Sequence, residues 1–94
     1  MAKKAHASHI LLNSKSDALN IMRSISSLKE FQRYATKASK CPSSRKQGDL
    51  GTFKSGQMVA AFDKAVWGMD LDKCSEPVRT QHGYHLIWVH SRDE

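Results

Sequence analysis

Ninety-four residues with a net charge of +6 and 39% hydrophobic side chains are enough for one domain, residues 1–94, built on a single core without a metal or disulfide lattice. No apolar run approaches the ~18 residues a membrane span needs, and the basic start Met-Ala-Lys-Lys-Ala-His has no apolar stretch behind it long enough for a signal peptide. The two cysteines, Cys41 and Cys74, show neither CxxC nor metal-ligand spacing, which fits free thiols in a reducing compartment, so a soluble cytoplasmic domain without a metal site is expected.

Ala5 to Leu12 reads as a strand, with Ala7, His9 and Leu11 on one face and Ser8, Ile10 and Leu12 on the other. Asn13 to Ser16 is a short loop ending in an N-cap, and Asp17 favours the helix start. Ala18, Leu19, Ile21, Met22, Ile25 and Leu28 then recur at helical spacing and predict a helix over 17–27, ended by serines 24, 26 and 27. Phe31, Tyr34, Ala35 and Ala38 predict a second helix over 29–39, whose other face carries Arg33, Lys37 and Lys40. Residues 41–48 read as irregular, because Pro42 disfavours helix at Cys41 and Gly48 permits a tight turn. A short strand from Leu50 to Phe53, a Ser55-Gly56 turn and a helix over 58–67 follow, with Gly68 as its C-cap. After a loop from Asp70 to Glu76 come a strand at Pro77–Arg79, a turn at Thr80–Gly83 and a last strand from Tyr84 to Ser91. The order β-α-α-β-α-β-β predicts an α+β fold in which the long, apolar first and last strands are natural central partners.

Four groups of residues have the chemistry for a site: His9, Cys41, the trio Leu50, Met58 and Phe62, and the pair Thr80 and His85. If the terminal strands pair, His9 and His85 lie side by side, and with Thr80 they can pass hydrogen bonds in a chain. Cys41 has three open roles: a nucleophile activated by the histidines, a polarisable group facing a substrate amide, or an inert thiol. Cys74, among Asp70 and Asp72, reads as a bystander. Met58 and Phe62 sit i and i+4 on one predicted helix face, a spacing usual for core. They and Leu50 also fall near turn glycines at element ends, where binding residues gather. Arg33, Lys37, Lys40, Arg45 and Lys46 lie in a stretch with no acidic residue between Glu30 and Asp49. This patch suits acidic partners, although only Tyr34 is available among them for base stacking.

The stretches Gly48-Asp49-Leu50-Gly51 and Gly56-Gln57-Met58-Val59 with Phe62, together with the Ser8–Leu12 and His82–Ile87 strands, resemble the parvulin family of peptidyl-prolyl cis-trans isomerases over almost the whole chain. The resemblance implies a four-stranded antiparallel sheet wrapped by helices (parvulin/FKBP-like), with no cofactor. It implies that His9 and His85 are the paired histidines beneath the site, with Thr80 linked to them and Cys41 beside the substrate carbonyl. It further implies that Leu50, Met58 and Phe62 grip the proline ring, with Gln57 and His82 bordering the pocket. Non-phospho parvulins commonly carry phenylalanine where His82 stands, so the rim here is expected to be more polar. The expected function is a monomeric rotamase acting non-covalently on proline-containing polypeptides to assist folding. No phosphoserine is expected to be needed, because Asn13-Ser14-Lys15-Ser16-Asp17 offers one lysine and too short a loop to wrap an anion. The alternative is a binding module, for clients or nucleic acid, that uses the basic patch around residues 33–46. A thiol redox enzyme would need a resolving cysteine at useful spacing, which the chain lacks.

Overall fold

The computed structural model describes residues 3–40 and 42–93. Among them the order is β1 (Lys4–Leu12), α1 (Lys15–Ser24), α2 (Leu28–Ala38), a 3-10 turn (Pro42–Lys46), β2 (Asp49–Lys54), α3 (Ala60–Gly68), β3 (Val78–Thr80) and β4 (Gly83–Arg92). The strands form one antiparallel sheet in the order β2-β1-β4-β3, so the terminal strands are the central pair. Both faces of that pair are covered, which is why their sequences are apolar on both sides. Ala5, Ala7, Ile87 and Val89 pack with Phe53, Phe62 and Val66 on the α3 face. Ile10, Leu12, Leu86 and Trp88 pack with Ala18, Phe31 and Ala35 on the α1/α2 face.

The helix boundaries differ from the expected ones for identifiable reasons. α1 starts two residues early, because Ser14 rather than Ser16 accepts the Asp17 N–H. It stops at Ser24 because the following serines serve the next helix. Ser27 caps α2 by accepting the Glu30 N–H, and the Glu30 carboxylate accepts from the Ser26 N–H and hydroxyl. This reciprocal capping fixes the link between the helices. α3 begins at Ala60, not 58, so Met58 precedes the helix. Gly68 is its last residue rather than its cap. Its C-terminal carbonyls are met by Arg92 from β4, whose Nη1 donates to Val66 (2.9 Å) and to Met69. The segment expected to be wholly irregular contains the 3-10 turn, whose first position suits proline. The loop before β3 lies along β4, where the Asp72 and Ser75 N–H groups donate to the Val89 and Ile87 carbonyls.

Two register shifts shape the sheet. Between β1 and β2 the pairs run His6↔Thr52 and then Ser8↔Asp49, which leaves one extra residue in β2. Gly51 sits there at φ +72°, a conformation that costs glycine nothing and a branched residue dearly. The bulge overrides strict alternation, so Leu50 and Phe53 both pack toward the α3 face. The second shift, between His6 and Ala7, places an extra residue in β4 at His90.

Candidate active site

His9 pairs across the sheet with Ile87, and His85 with Leu11. The two imidazoles are therefore diagonal neighbours rather than directly opposite, a spacing that long side chains bridge. Their Nδ1 atoms are 2.9 Å apart and the ring planes lie within 19° of parallel. Thr80 reaches His85 along the next diagonal: its Oγ1 is 2.8 Å from His85 Nε2 and accepts the His82 backbone N–H at 3.1 Å. The chain Thr80–His85–His9 thus crosses β3, β4 and β1.

A single proton fits between the facing nitrogens. Either Thr80 donates to His85 Nε2 and His85 Nδ1–H to His9, or the direction reverses throughout; both arrangements keep both rings neutral. Burial, with His85 beside it, pushes His9 down to about 4. Burial, with His82 nearby, pushes His85 down to about 4. Phe62 closes the pair from the α3 side, with ring centroids 5.8 Å from His9 and 5.4 Å from His85 at angles of 78° and 83°. Next to the relay, Gly48 accepts the His9 N–H through its carbonyl at 2.9 Å. A Cβ on Gly48 would lie 2.5 Å from the His9 carbonyl oxygen and 2.8 Å from the Ala35 Cβ.

The structure brings together most of the expected residues, with different degrees of exposure. Phe62 is 3% exposed and belongs to the core. Leu50 and Met58 are half-buried against that same core, leaving part of each side chain open. Gln57 is exposed, and its side-chain carbonyl accepts the Lys54 N–H, closing the 54–57 turn. His82 is exposed at the β3–β4 turn. Cys41 lies outside the described residues. Cys74 is a free thiol pushed up to about 12 by burial, which agrees with an inert role. Among the described residues no cluster of His, Cys, Asp or Glu is arranged to hold a metal ion.

Asp49 joins the site from outside the residues that the sequence points to. Its Oδ1 accepts the Gly51 N–H at 2.7 Å and the His6 Nε2–H at 2.8 Å. Burial alone would raise this carboxyl, but the Gly51 and His6 hydrogen bonds hold it below its usual range. An aspartate two residues before a glycine inside a short strand was the available signal.

The chain matches the rotamase family described as the PPIC-type PPIase domain over residues 4–91. It belongs to this parvulin-type isomerase family. Among similar proteins, the foldase protein PrsA of Bacillus subtilis is 40% identical over 85 residues, covering 89% of this chain and 29% of that protein. The foldase protein PrsA of Halalkalibacterium halodurans is 36% identical over 92 residues, covering 97% of this chain and 28% of that protein. The chain therefore spans less than a third of the curated relatives it matches. The solution structure of NmPin, the parvulin of Nitrosopumilus maritimus, superposes with a TM-score of 0.80 at 35% identity, covering 97% of this chain and 99% of that one. The parvulin domain thus accounts for essentially all of the described fold.

Proposed function

We propose that this parvulin domain accelerates rotation about Xaa-Pro peptide bonds in flexible or unfolded polypeptides, and so assists their folding. The observation that carries the reading is the buried, neutral Thr80–His85–His9 chain roofed by Phe62, in a domain whose half-open Leu50 and Met58 offer a proline ring an apolar seat. Amide resonance sets a barrier of roughly 18–20 kcal/mol, and a 10⁵-fold acceleration requires removing about 7 kcal/mol. Leu50 and Met58 hold the ring while the preceding carbonyl turns. The imidazole chain supplies a fixed polar surface without formal charge, preorganised by its hydrogen bonds. No bond breaks, so rotation gains nothing from a covalent adduct. Cys41, if beside the carbonyl, acts as a polarisable neighbour.

A requirement for phosphoserine before proline is not part of this reading. β1 ends at Leu12 and α1 begins at Lys15, which supports the short-loop argument. Exchange spectroscopy on matched peptides with Leu, Glu and phosphoserine before proline tests both points. Acceleration for all three is expected, and a phosphoserine preference that survives moderate salt would overturn the second point. The cytoplasmic and monomeric readings are proposals too. The free Cys74 thiol supports a reducing setting. Among the described residues Leu71, at 39%, is the one large apolar side chain that is exposed, and the scarcity of such side chains supports a surface that stays single.

A second reading, a binding module for acidic polymers, draws on the exposure of Arg33, Lys37, Lys40, Arg45 and Lys46 and on the packing of the 3-10 turn against α2. Affinity for a mixed-sequence oligonucleotide that survives physiological salt would favour it.

A further inference from the structure

Two aspartates outside the imidazole chain make the same unusual pair of contacts. Asp49 Oδ1 accepts the backbone N–H of Gly51 (2.7 Å) and a ring N–H from His6 (2.8 Å). Asp63 Oδ1 accepts the backbone N–H of Gly56 (3.0 Å) and a ring N–H from Trp67 (3.2 Å). Both glycines have positive φ, +72° and +88°, and both stand beside a wall of the proline seat. Gly51 follows Leu50 at the β2 bulge. Gly56 stands two residues before Met58, in a turn closed by the Gln57 N–H on the Lys54 carbonyl at 3.1 Å. Leu50 and Met58 lie on a bulged edge strand and before a helix with no side-chain cap, so ladder and helix hydrogen bonds alone do not fix them.

We propose that Asp49 and Asp63 are positioning residues for substrate binding, each clasping a left-handed glycine turn next to Leu50 or Met58 and each braced by a ring N–H, from His6 or Trp67. The inference rests on the isomerase reading of that seat. Both carboxylates act on the glycine turns, whereas the Thr80–His85 bond is made elsewhere, so a broken clasp loosens the seat and leaves that bond intact. The loss then appears in KM and in peptide Kd, while kcat stays. One hydrogen bond's worth of ordering corresponds to roughly a 5- to 10-fold weakening.

The test compares Asp49→Ala, Asp49→Asn, Asp63→Ala and Asp63→Asn with wild type, and uses Glu30→Ala as a destabilised control on the other face of the sheet. Peptide Kd is read by NMR titration, kcat and KM by exchange spectroscopy, and stability by thermal unfolding. The alanine variants are expected to raise KM and Kd together at constant kcat. The asparagine variants, which keep the Oδ1 acceptor, restore both. Asp63→Ala also shifts the fluorescence of Trp67, and Glu30→Ala lowers Tm without changing KM. Wild-type binding in the alanine variants, an asparagine variant as impaired as its alanine counterpart, or an equal rise of KM in Glu30→Ala would each overturn the proposal. If wild type binds the peptide without speeding exchange, the isomerase reading falls alone and the clasps are judged on Kd. If it does neither, both fall.

Discussion

Acidification tests the central feature of the site, two buried imidazoles that share one proton. In the unfolded chain each ring takes up a proton near its ordinary value of about 6.5, whereas in the folded domain His9 and His85 are both pushed down to about 4. Between those values the unfolded state binds more protons than the folded one, so stability rises with pH there. The contribution is fully present above about pH 6.5, is lost as pH falls toward about 4, and changes no further below that. For one independent group the difference at pH 5 is about 2 kcal/mol. Two such groups set an upper bound of about 4 kcal/mol, because neighbours that share a proton titrate as a pair. His90, lowered by burial and by His6, acts in the same direction. Urea unfolding followed by circular dichroism from pH 7.5 to pH 5 should therefore show a loss of several kcal/mol. The histidine ring proton shifts assign the cause, since the His9 and His85 signals should stay flat down to about pH 5 in the folded protein. A folded-state titration of either ring near 6.5, or stability flat across the range, would refute the shared-proton account.

Thr80→Val removes the hydroxyl that serves both His85 and the His82 N–H and should cost about 1–3 kcal/mol, with a larger fractional loss of kcat than of peptide affinity; unchanged stability would show the relay to be dispensable. Phe62→Ala, at a fully packed position, should destabilise the domain by about 3–5 kcal/mol. Met58→Ala, half-exposed, should cost far less stability and act chiefly through KM; equal unfolding of the two would move Met58 into the core. Gly48→Ala should cost more than about 1 kcal/mol, because its φ of +83° and the His9 carbonyl at 2.5 Å leave no place for a methyl group; a wild-type midpoint in urea would contradict the close approach.

The element order and the central pairing of the terminal strands were legible because hydrophobic period and length identify a strand buried on both faces. The histidine pair was legible only through that pairing, and its diagonal offset was not, since register depends on a bulge at His90 that no local signal in a β-branched and aromatic run announces. The end of α1 is ambiguous in the sequence because serines 26 and 27 are compatible with either a fraying helix or the cap of the next one. The capping box with Glu30 decides between them, and its Ser/Glu spacing was there to be read. The spacing of Met58 from Phe62 predicts a helix that includes both, yet a turn closed by Gln57 and Asp63 holds Met58 outside. Side-chain clasps on backbone N–H groups compete with helix in a way periodicity does not register.

The bulge in β2 has a consequence beyond the placing of Leu50. β2 and β3 are the two edges of the sheet, and an open edge is a template on which any extended chain can lay another strand. β2 is interrupted by its bulge, β3 is three residues long and preceded by Pro77, and the loop with Asp72 and Ser75 occupies β4 beyond it. If the domain acts on unfolded polypeptides as proposed, extended chains pass these edges at close range. Edges that refuse strand addition would then let it hold such a chain by one proline ring and release it, without taking that chain up as a fifth strand.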